Sequence, residues 1–391
     1  MPDLKIIADD KIPFLKGILE PYADVRYLPG AKITADDVRD ADAIFTRTRT
    51  KCNEALLSGS SVKLIATATI GYDHIDTDYC DVKGIKWVNA PGCNSGSVKQ
   101  YITTSLATLA DHYGLRFEDM TLGIIGFGNV GSKVFDAAKA LGMNVIVNDP
   151  PLEASLSESP LVGNPVNFSS LDHLLTNSDI VTCHVPLEKD GKYPTYHLAN
   201  DDFFDKMKPD TVFINSSRGP VCDAEALKRA VGLSQNPKLK TFILDVWENE
   251  PTPDAYLLEN AFIATPHIAG YSADGKANGT AACVSEFCNF FGISALHEWY
   301  PANIPSPPMP LTITIDGKSK SKEQIIFEAV THTYPILDDS ALLKRSPATF
   351  EEQRGSYHVR REFQNFTIFP ENTSSEVIQS LESLGFRVDN A

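Results

Sequence analysis

Three segments in the middle of the chain end in side chains that together suit the oxidation of a 2-hydroxy acid: Arg218 in INSSRGP, Glu250 in LDVWENEP and His267 in TPHIAGY. That chemistry has three tasks: to anchor a carboxylate, to take the hydroxyl proton, and to hold the reacting carbon against a hydride acceptor. A guanidinium meets the first, because its planar fork pairs with both carboxylate oxygens and polarises the neighbouring C2 oxygen. An imidazole meets the second, because its unperturbed pKa of about 6.5 lets it accept and return a proton at neutral pH. A carboxylate beside that imidazole orients the ring and favours the imidazolium formed as hydride leaves. Spacing alone leaves Glu248 and Glu250 both open as this carboxylate, and His74, His184 and His197 open beside His267 as the base. Taken singly, each has an ordinary alternative: a surface ion pair for the arginine, a loop hydrogen bond for the histidine.

The hydride acceptor is signalled upstream, in LGIIGFGNVGSK, where Gly126, Gly128 and Gly131 follow a short apolar run and open the helical pattern GNVGSKVFDAAKALG. A G-x-G-x-x-G string by itself is weak, but strand before and helix after is the context that a dinucleotide needs. Gly126 permits the tight turn, Gly128 admits a pyrophosphate to the backbone, and Gly131 allows the helix to pack closely on the strand. The helix N-terminus offers amides to the phosphates. Asp149 ends the next strand pattern, VIVND, where an acid binds a ribose 2′-hydroxyl and repels a 2′-phosphate; this predicts NAD over NADP.

These groups must be carried to one place by a sheet. LKIIA, DAIFT, VKLIATA and IKWVNA predict parallel strands between residues 4 and about 90. In NSGSVKQYITTSLATLADHYG, Val98, Tyr101, Ile102, Leu106, Leu109 and Tyr113 recur at helical spacing, which predicts an amphipathic helix leading into a second domain. LGIIGF, MNVIVND, DIVTCHVP, TVFINSS, TFILDVW and AFIATP are six strand candidates, enough for a doubly wound α/β sheet with Arg218, Glu250 and His267 beyond strand ends. A helix from about Ala273 to Phe291 is expected to return the chain to the first domain. YPANIPSPPMP, with five prolines, reads as a linker. Beyond it LTITIDG, EQIIFEAVTHTY, FQNFTIFP and SEVIQSLESLGFRV predict a third, α+β domain.

Composition narrows the function. A net charge of −16 argues against nucleic acid and anionic membrane as partners, since both need a basic surface. No apolar run reaches the roughly 20 residues that span a bilayer, and MPDLKIIADD lacks the layout of a signal peptide. The seven cysteines are scattered with no CxxC pair, so neither zinc nor any other metal site is expected and a reducing cytoplasm fits best.

NAPGCNSGSVKQY, GIIGFGNVG, NSSRGPVCD, LDVWENEP and PHIAGY make the chain resemble the D-isomer-specific 2-hydroxyacid dehydrogenases over residues 1 to about 292. TATIGYDHID, the paired prolines of NDPP, HIAGYSADGKANGT and the C-terminal extension are similar to a branch acting on a phosphorylated acid. The resemblance implies a flavodoxin-like substrate or lid domain (1–93 and 268–292), a Rossmann-type NAD-binding domain (94–267) and an α+β dimerisation domain (305–391), with hinges near 93–95 and 267–270. It makes Arg218 and Glu250 catalytic and His267 the proton-transferring residue, deciding for Glu250 over Glu248. It places NAD contacts at Gly126, Gly128, Asn129, Val130, Gly131, Asp149, Val185, Ser216, Ser217, Arg218, Asp245 and Gly270, with Asp245 near the carboxamide. It places substrate contacts at Thr48, Thr69 and Tyr271, Thr48 standing where a serine is common. The implied reaction is NAD-dependent oxidation of 4-phospho-D-erythronate at C2 by a cytoplasmic homodimer, a step of vitamin B6 synthesis. Another D-2-hydroxy acid such as phosphoglycerate, or an NAD-sensing interaction protein, is the alternative. For the phosphate, Arg47 and Arg49 flank Thr48, and Arg360 and Arg361 are placed to reach across a dimer interface.

Overall fold

Aliphatic runs of four to six residues, closed by polar turns, are what a parallel sheet buried on both faces requires. In the computed structural model, which describes residues 4–158, 166–233 and 237–389, the chain forms two compact units, Met1–Asn94 with Tyr271–Ser306, and Ser95–Gly270 with Pro307–Ala391.

The first unit holds five parallel strands, β1 (Lys5–Asp9), β2 (Asp24–Leu28), β3 (Ala43–Thr46), β4 (Leu64–Thr67) and β5 (Lys86–Val88), in the order β2-β1-β3-β4-β5. Alternate residues serve opposite faces. Ile6, Ala8, Phe45 and Leu64 meet Val284, Phe287 and Cys288 of the helix Ala273–Phe291; Ile7, Ile44 and Ile65 meet Val38, Leu56 and Leu57. The edge strand β2 was not expected, because DVRYL is partly exposed and lacks a buried aliphatic run. All seven cysteines are free thiols, and all but Cys93 are buried. Burial pushes the Cys52 and Cys183 thiols up to about 12 and Cys80 up to about 11, so these serve as small apolar groups.

The second unit carries the six expected strands, β6 (Thr121–Ile125), β7 (Asn144–Asn148), β8 (Ile180–Cys183), β9 (Thr211–Asn215), β10 (Leu239–Leu244) and β11 (Ile263–Ala264). They are parallel in the order β11-β10-β9-β8-β6-β7. The chain steps from β6 to β7 on one side and then to β8 on the other. That reversal opens a crevice at the strands' carboxyl ends, where ligands bind in open α/β sheets.

The helix Ser95–Tyr113 differs from its amphipathic reading. Its polar side chains Gln100, Thr103, Thr104, Ser105 and Thr108 are buried along with the apolar ones. Three hydroxyls satisfy themselves on carbonyls one turn back, Thr103 on Lys99 (2.8 Å), Ser105 on Tyr101 (2.9 Å) and Thr108 on Thr104 (2.7 Å). Gln100 donates to the Thr333 hydroxyl (3.1 Å) and the Arg361 carbonyl (2.9 Å). The C-terminal segment therefore covers what reads as a solvent face. That segment forms a parallel sheet of β12 (Thr312–Asp316), β13 (Thr367–Glu371) and β14 (Arg387–Val388). Its Ile326, Val330, Ile368 and Leu381 share one continuous core with Leu106, Val134 and Leu141. Helices Ile336–Arg345 and Phe350–Gly355 were not expected; they send Leu343 and Phe350 into the core on the sheet's other side. Among the described residues no helix is long and apolar enough to cross a membrane.

Candidate active site

At the end of β6 the three glycines serve three different needs. Gly126 has φ +90°, and a Cβ there would lie 2.5 Å from the His184 carbonyl oxygen and 2.9 Å from Val185 Cγ1. At Gly131 a Cβ would sit 1.9 Å from the Gly126 oxygen, so the helix Asn129–Leu141 lies as close as its backbone permits. At Gly128 nothing of the protein comes within 4 Å of a Cβ, so the fold leaves open space where a ligand phosphate can approach the main chain. No side chain caps the helix that starts there at Asn129 and Val130, leaving its first amides for a ligand. Asp149, just past β7, does more than its sequence position suggests. It accepts from the Phe127 amide (2.7 Å) and from the Leu152 amide (3.0 Å), tying the glycine turn to the neighbouring strand end. Each oxygen keeps a further lone pair for a ribose hydroxyl.

Beyond β9, Asn215 shapes the turn that presents Arg218. Its side-chain Oδ1 accepts from the Ser217 amide (3.0 Å) and hydroxyl (2.8 Å), and its Nδ2 donates to the Arg218 carbonyl (3.0 Å). Arg218 is half-buried and donates from Nη1 to the Ser217 carbonyl (2.8 Å). The Ser216 hydroxyl is buried without a protein partner, as a ligand-binding hydroxyl would be. A Cβ on Gly219 would lie 1.9 Å from the Trp247 oxygen, so the Arg218 turn rests directly on the loop that carries Glu250.

In that loop Glu250 accepts from the Trp247 amide (3.0 Å) and, through its other oxygen, pairs with His267 Nδ1 (2.8 Å). The pairing puts the ring proton on Nδ1 and leaves Nε2 as the nitrogen able to accept a proton. Burial pushes the Glu250 carboxyl up, but the hydrogen bond and charge of His267 and the Trp247 amide outweigh it, so the group sits below its ordinary value and is ionised at neutral pH. His267 has φ +56°, a left-handed conformation costing roughly 1–3 kcal/mol in a non-glycine residue. What holds it is Asp245, whose carbonyl accepts the His267 amide (2.7 Å). The Asp245 carboxylate, 1% exposed, accepts from Thr265 Oγ1 (2.7 Å) and the amides of Ile268 (2.8 Å) and Ala269 (2.9 Å). Burial raises that carboxyl above its ordinary value against the opposing pull of His267 and these donors.

The competing groups are engaged elsewhere. Glu248 pairs with His197 Nε2 (2.7 Å) and accepts the Ala224 amide (3.1 Å). Burial pushes the His184 imidazole down to about 3, which keeps it neutral. His74 lies in the other unit, with Nε2 buried and without a partner. The loops after β10 and β11 thus bring Glu250 and His267 together, and the turn after β9 that carries Arg218 rests on the first of these loops through Gly219, while Val185 follows β8 and Gly270 is the last residue of this unit's first segment, before Tyr271.

Thr48, Thr69 and Tyr271 belong to the first unit. Thr48 is exposed just past β3, and the Thr69 hydroxyl bonds to that of Thr67 (2.7 Å) and to the Gly71 carbonyl (2.9 Å). The Lys276 ammonium stands 5.1 Å from the Tyr271 ring centre. Arg47 donates to the Lys11 carbonyl (3.3 Å), and Arg361 to Asn365 Oδ1 (2.5 Å). Arg360 corrects an expectation: it is 1% exposed, stacked at 4.3 Å on Tyr334 inside its own unit, and so cannot extend toward another copy. Among the described residues no group of three or more His, Cys, Asp or Glu side chains is arranged to hold a metal.

Comparison with known proteins accords with this geometry. The model of the D-isomer specific 2-hydroxyacid dehydrogenase NAD binding domain matches residues 97–269, and a domain of unknown function (DUF3410) matches 305–385. The chain is 47% identical to erythronate-4-phosphate dehydrogenase of Bacteroides thetaiotaomicron, over 93% of this chain and 99% of that one. It is 47% identical to the enzyme of the same name from Bacteroides fragilis, over 92% and 97%. A solved structure of D-lactate dehydrogenase from Aquifex aeolicus, complexed with NAD and lactic acid, is 27% identical and superposes with a TM-score of 0.58 over 77% of this chain and all of that one. The cofactor is NAD. By sequence and fold, the chain belongs to the D-isomer-specific 2-hydroxyacid dehydrogenase family, in its erythronate-4-phosphate dehydrogenase branch.

Proposed function

We propose that the chain oxidises 4-phospho-D-erythronate at C2 to 2-oxo-3-hydroxy-4-phosphobutanoate, using NAD, in vitamin B6 synthesis. The observation that carries this reading is the Glu250–His267 pair, 2.8 Å apart, in a chain 47% identical along nearly its whole length to an erythronate-4-phosphate dehydrogenase. Gly126, Gly128, Asn129, Val130 and Gly131 hold the pyrophosphate, Asp149 the ribose, and Val185, Ser216, Ser217, Arg218, Asp245 and Gly270 the rest of the cofactor. NAD bound there supplies the hydride acceptor. Arg218 grips the substrate carboxylate and polarises the C2 oxygen. His267 Nε2 takes the hydroxyl proton, and the Glu250 carboxylate offsets the positive charge that the ring acquires.

Thr48, Thr69 and Tyr271 contact the substrate, and residues 1–93 with 268–292 form the lid domain hinged near 93–95 and 267–270. Residues 94–267 are the NAD-binding domain, and 305–391 carry homodimerisation in the cytoplasm. A steady-state assay with synthetic 4-phosphoerythronate beside 3-phosphoglycerate tests the reading. NADH production with the first and little with the second is expected. Preference for phosphoglycerate would move the chain to a different substrate. Binding of NADH with no turnover of either acid would make it an NAD-sensing protein.

A further inference from the structure

The peptide that follows His267 is held from two sides. The Asp245 carboxylate takes the amides of Ile268 and Ala269 at 2.8 and 2.9 Å. Arg360 Nη2, from the C-terminal segment of the same chain, donates to the carbonyls of those same two residues at 3.2 and 2.5 Å. The guanidinium is 1% exposed, lies 4.3 Å from the Tyr334 ring centre, and is faced electrostatically by the carboxylates of Asp245 and Asp339. A buried cation has value where fixed acceptors and facing charge match it. Here Nη2 has its carbonyl acceptors in the loop of the proton-transferring residue, the facing carboxylates come from the loop after β10 and from the helix Ile336–Arg345, and Nε and Nη1 are buried without a hydrogen-bond partner.

The next two residues hold a different segment. The Arg361 carbonyl accepts from Gln100, and Glu362 Oε1 accepts from the Ser97 hydroxyl at 2.9 Å. Two of the three places where the chain passes between its units are Asn94/Ser95 and Gly270/Tyr271. Arg360, Arg361 and Glu362 therefore fasten the residues beside both crossings.

We propose that Arg360 is a positioning residue for proton transfer: clamped between its guanidinium and the Asp245 carboxylate, the peptide at 268–269 fixes His267 in its left-handed conformation with Nε2 aimed at the substrate. The C-terminal segment thus acts on the reaction within its own chain, whatever it does between copies. This rests on the function proposed above, with His267 as the base.

The test uses the full-length chain with Arg360→Met, Arg360→Lys and, as a control at an exposed arginine of β14, Arg387→Met. The Met variant should lose kcat on the order of 100-fold, the cost of a displacement of about 1 Å at the reacting groups. NADH affinity, read by fluorescence, and KM should stay near wild type, and Arg360→Lys should recover part of the loss. Hydrogen exchange of the peptide covering residues 262–270 should speed up in the Met variant and not in the control. A wild-type kcat with only a lowered melting temperature would overturn the proposal, since that is what a purely structural residue gives. If Arg360→Met does not fold, a wild-type kcat and wild-type exchange in Arg360→Lys overturn it equally. Should the wild-type chain itself fail to oxidise phosphoerythronate, the functional reading falls, while the exchange comparison still decides whether Arg360 clamps the loop.

Discussion

Glu250→Gln keeps the size of the side chain and removes its charge. In the native loop one carboxylate oxygen accepts the Trp247 amide at 3.0 Å and the other the His267 Nδ1–H at 2.8 Å. An amide has a single oxygen, so one of these donors must face an NH2 group, and the anion that offsets the imidazolium is gone. A hydrogen bond to a charged group contributes about 1.5–3 kcal/mol, which at 1.4 kcal/mol per decade is roughly 10- to 100-fold in rate. Both side chains are under a third exposed; counted instead as an ion pair at about 4 Å with an effective dielectric near 20, the same interaction is worth up to about 4 kcal/mol, roughly 1000-fold. The expected loss in kcat is therefore between roughly 10- and 1000-fold. NADH affinity should stay near wild type, because Glu250 takes no part in the glycine turn. The assay is kcat with 4-phosphoerythronate together with NADH fluorescence titration. The reasoning is refuted if kcat stays within a factor of about two of wild type. Glu248→Gln is the matched control: its carboxylate serves His197 and Ala224, so its kcat should change little.

Four further outcomes follow from the geometry. Gly128→Ala should leave the melting temperature nearly unchanged but weaken NADH binding, whereas Gly131→Ala, meeting the Gly126 oxygen at 1.9 Å, should destabilise by about 1–3 kcal/mol; calorimetry and fluorescence separate the two. Arg218→Lys should raise KM for the acid substrate more than it alters NADH affinity, since an ammonium lacks the two-pronged contact, and an unchanged KM would remove the anchor role. Asp149→Asn should narrow the preference for NAD over NADP and weaken NAD binding about tenfold, one lost charge-assisted contact; comparing the two coenzymes in kcat/KM checks it. Because the folded Glu250 carboxyl lies below its ordinary value, its pairing stabilises the fold at pH above its unfolded value of about 4.5, and that contribution disappears as pH falls through the lower folded value. The stability gap between wild type and Glu250→Gln should therefore be constant near neutrality and close in acid, read by denaturant titration at several pH values.

Most of the architecture was legible because its signals are local. Six short aliphatic runs from LGIIGF to AFIATP became β6 to β11, and the glycines after β6 carry their turn, approach and packing roles in their own backbone. The misses are equally physical. DVRYL forms an edge strand with little buried surface to announce it. Helices Ile336–Arg345 and Phe350–Gly355 are short and separated by a turn with Pro347, so neither sustains a period. The polar stripe of Ser95–Tyr113 reads as a wet face, yet it is buried, with Thr103, Ser105 and Thr108 satisfying their hydroxyls within the helix and Ser97 and Gln100 bonding the C-terminal segment.

Residue type and order along the chain determined by themselves which groups could do the chemistry: a guanidinium, two candidate carboxylates and several imidazoles after strand patterns, downstream of a dinucleotide turn. They did not by themselves determine which carboxylate meets which imidazole. A single residue separates Glu248 from Glu250, yet the loop turns one toward His197 and the other toward His267. Nor does anything near position 360 announce that Arg360 ends on the carbonyls of Ile268 and Ala269, 92 and 91 residues away. Strand and turn preferences act over a few residues, whereas pairing of buried polar groups is settled only when distant segments compete for the same donors and acceptors, and that competition exists only in the folded chain.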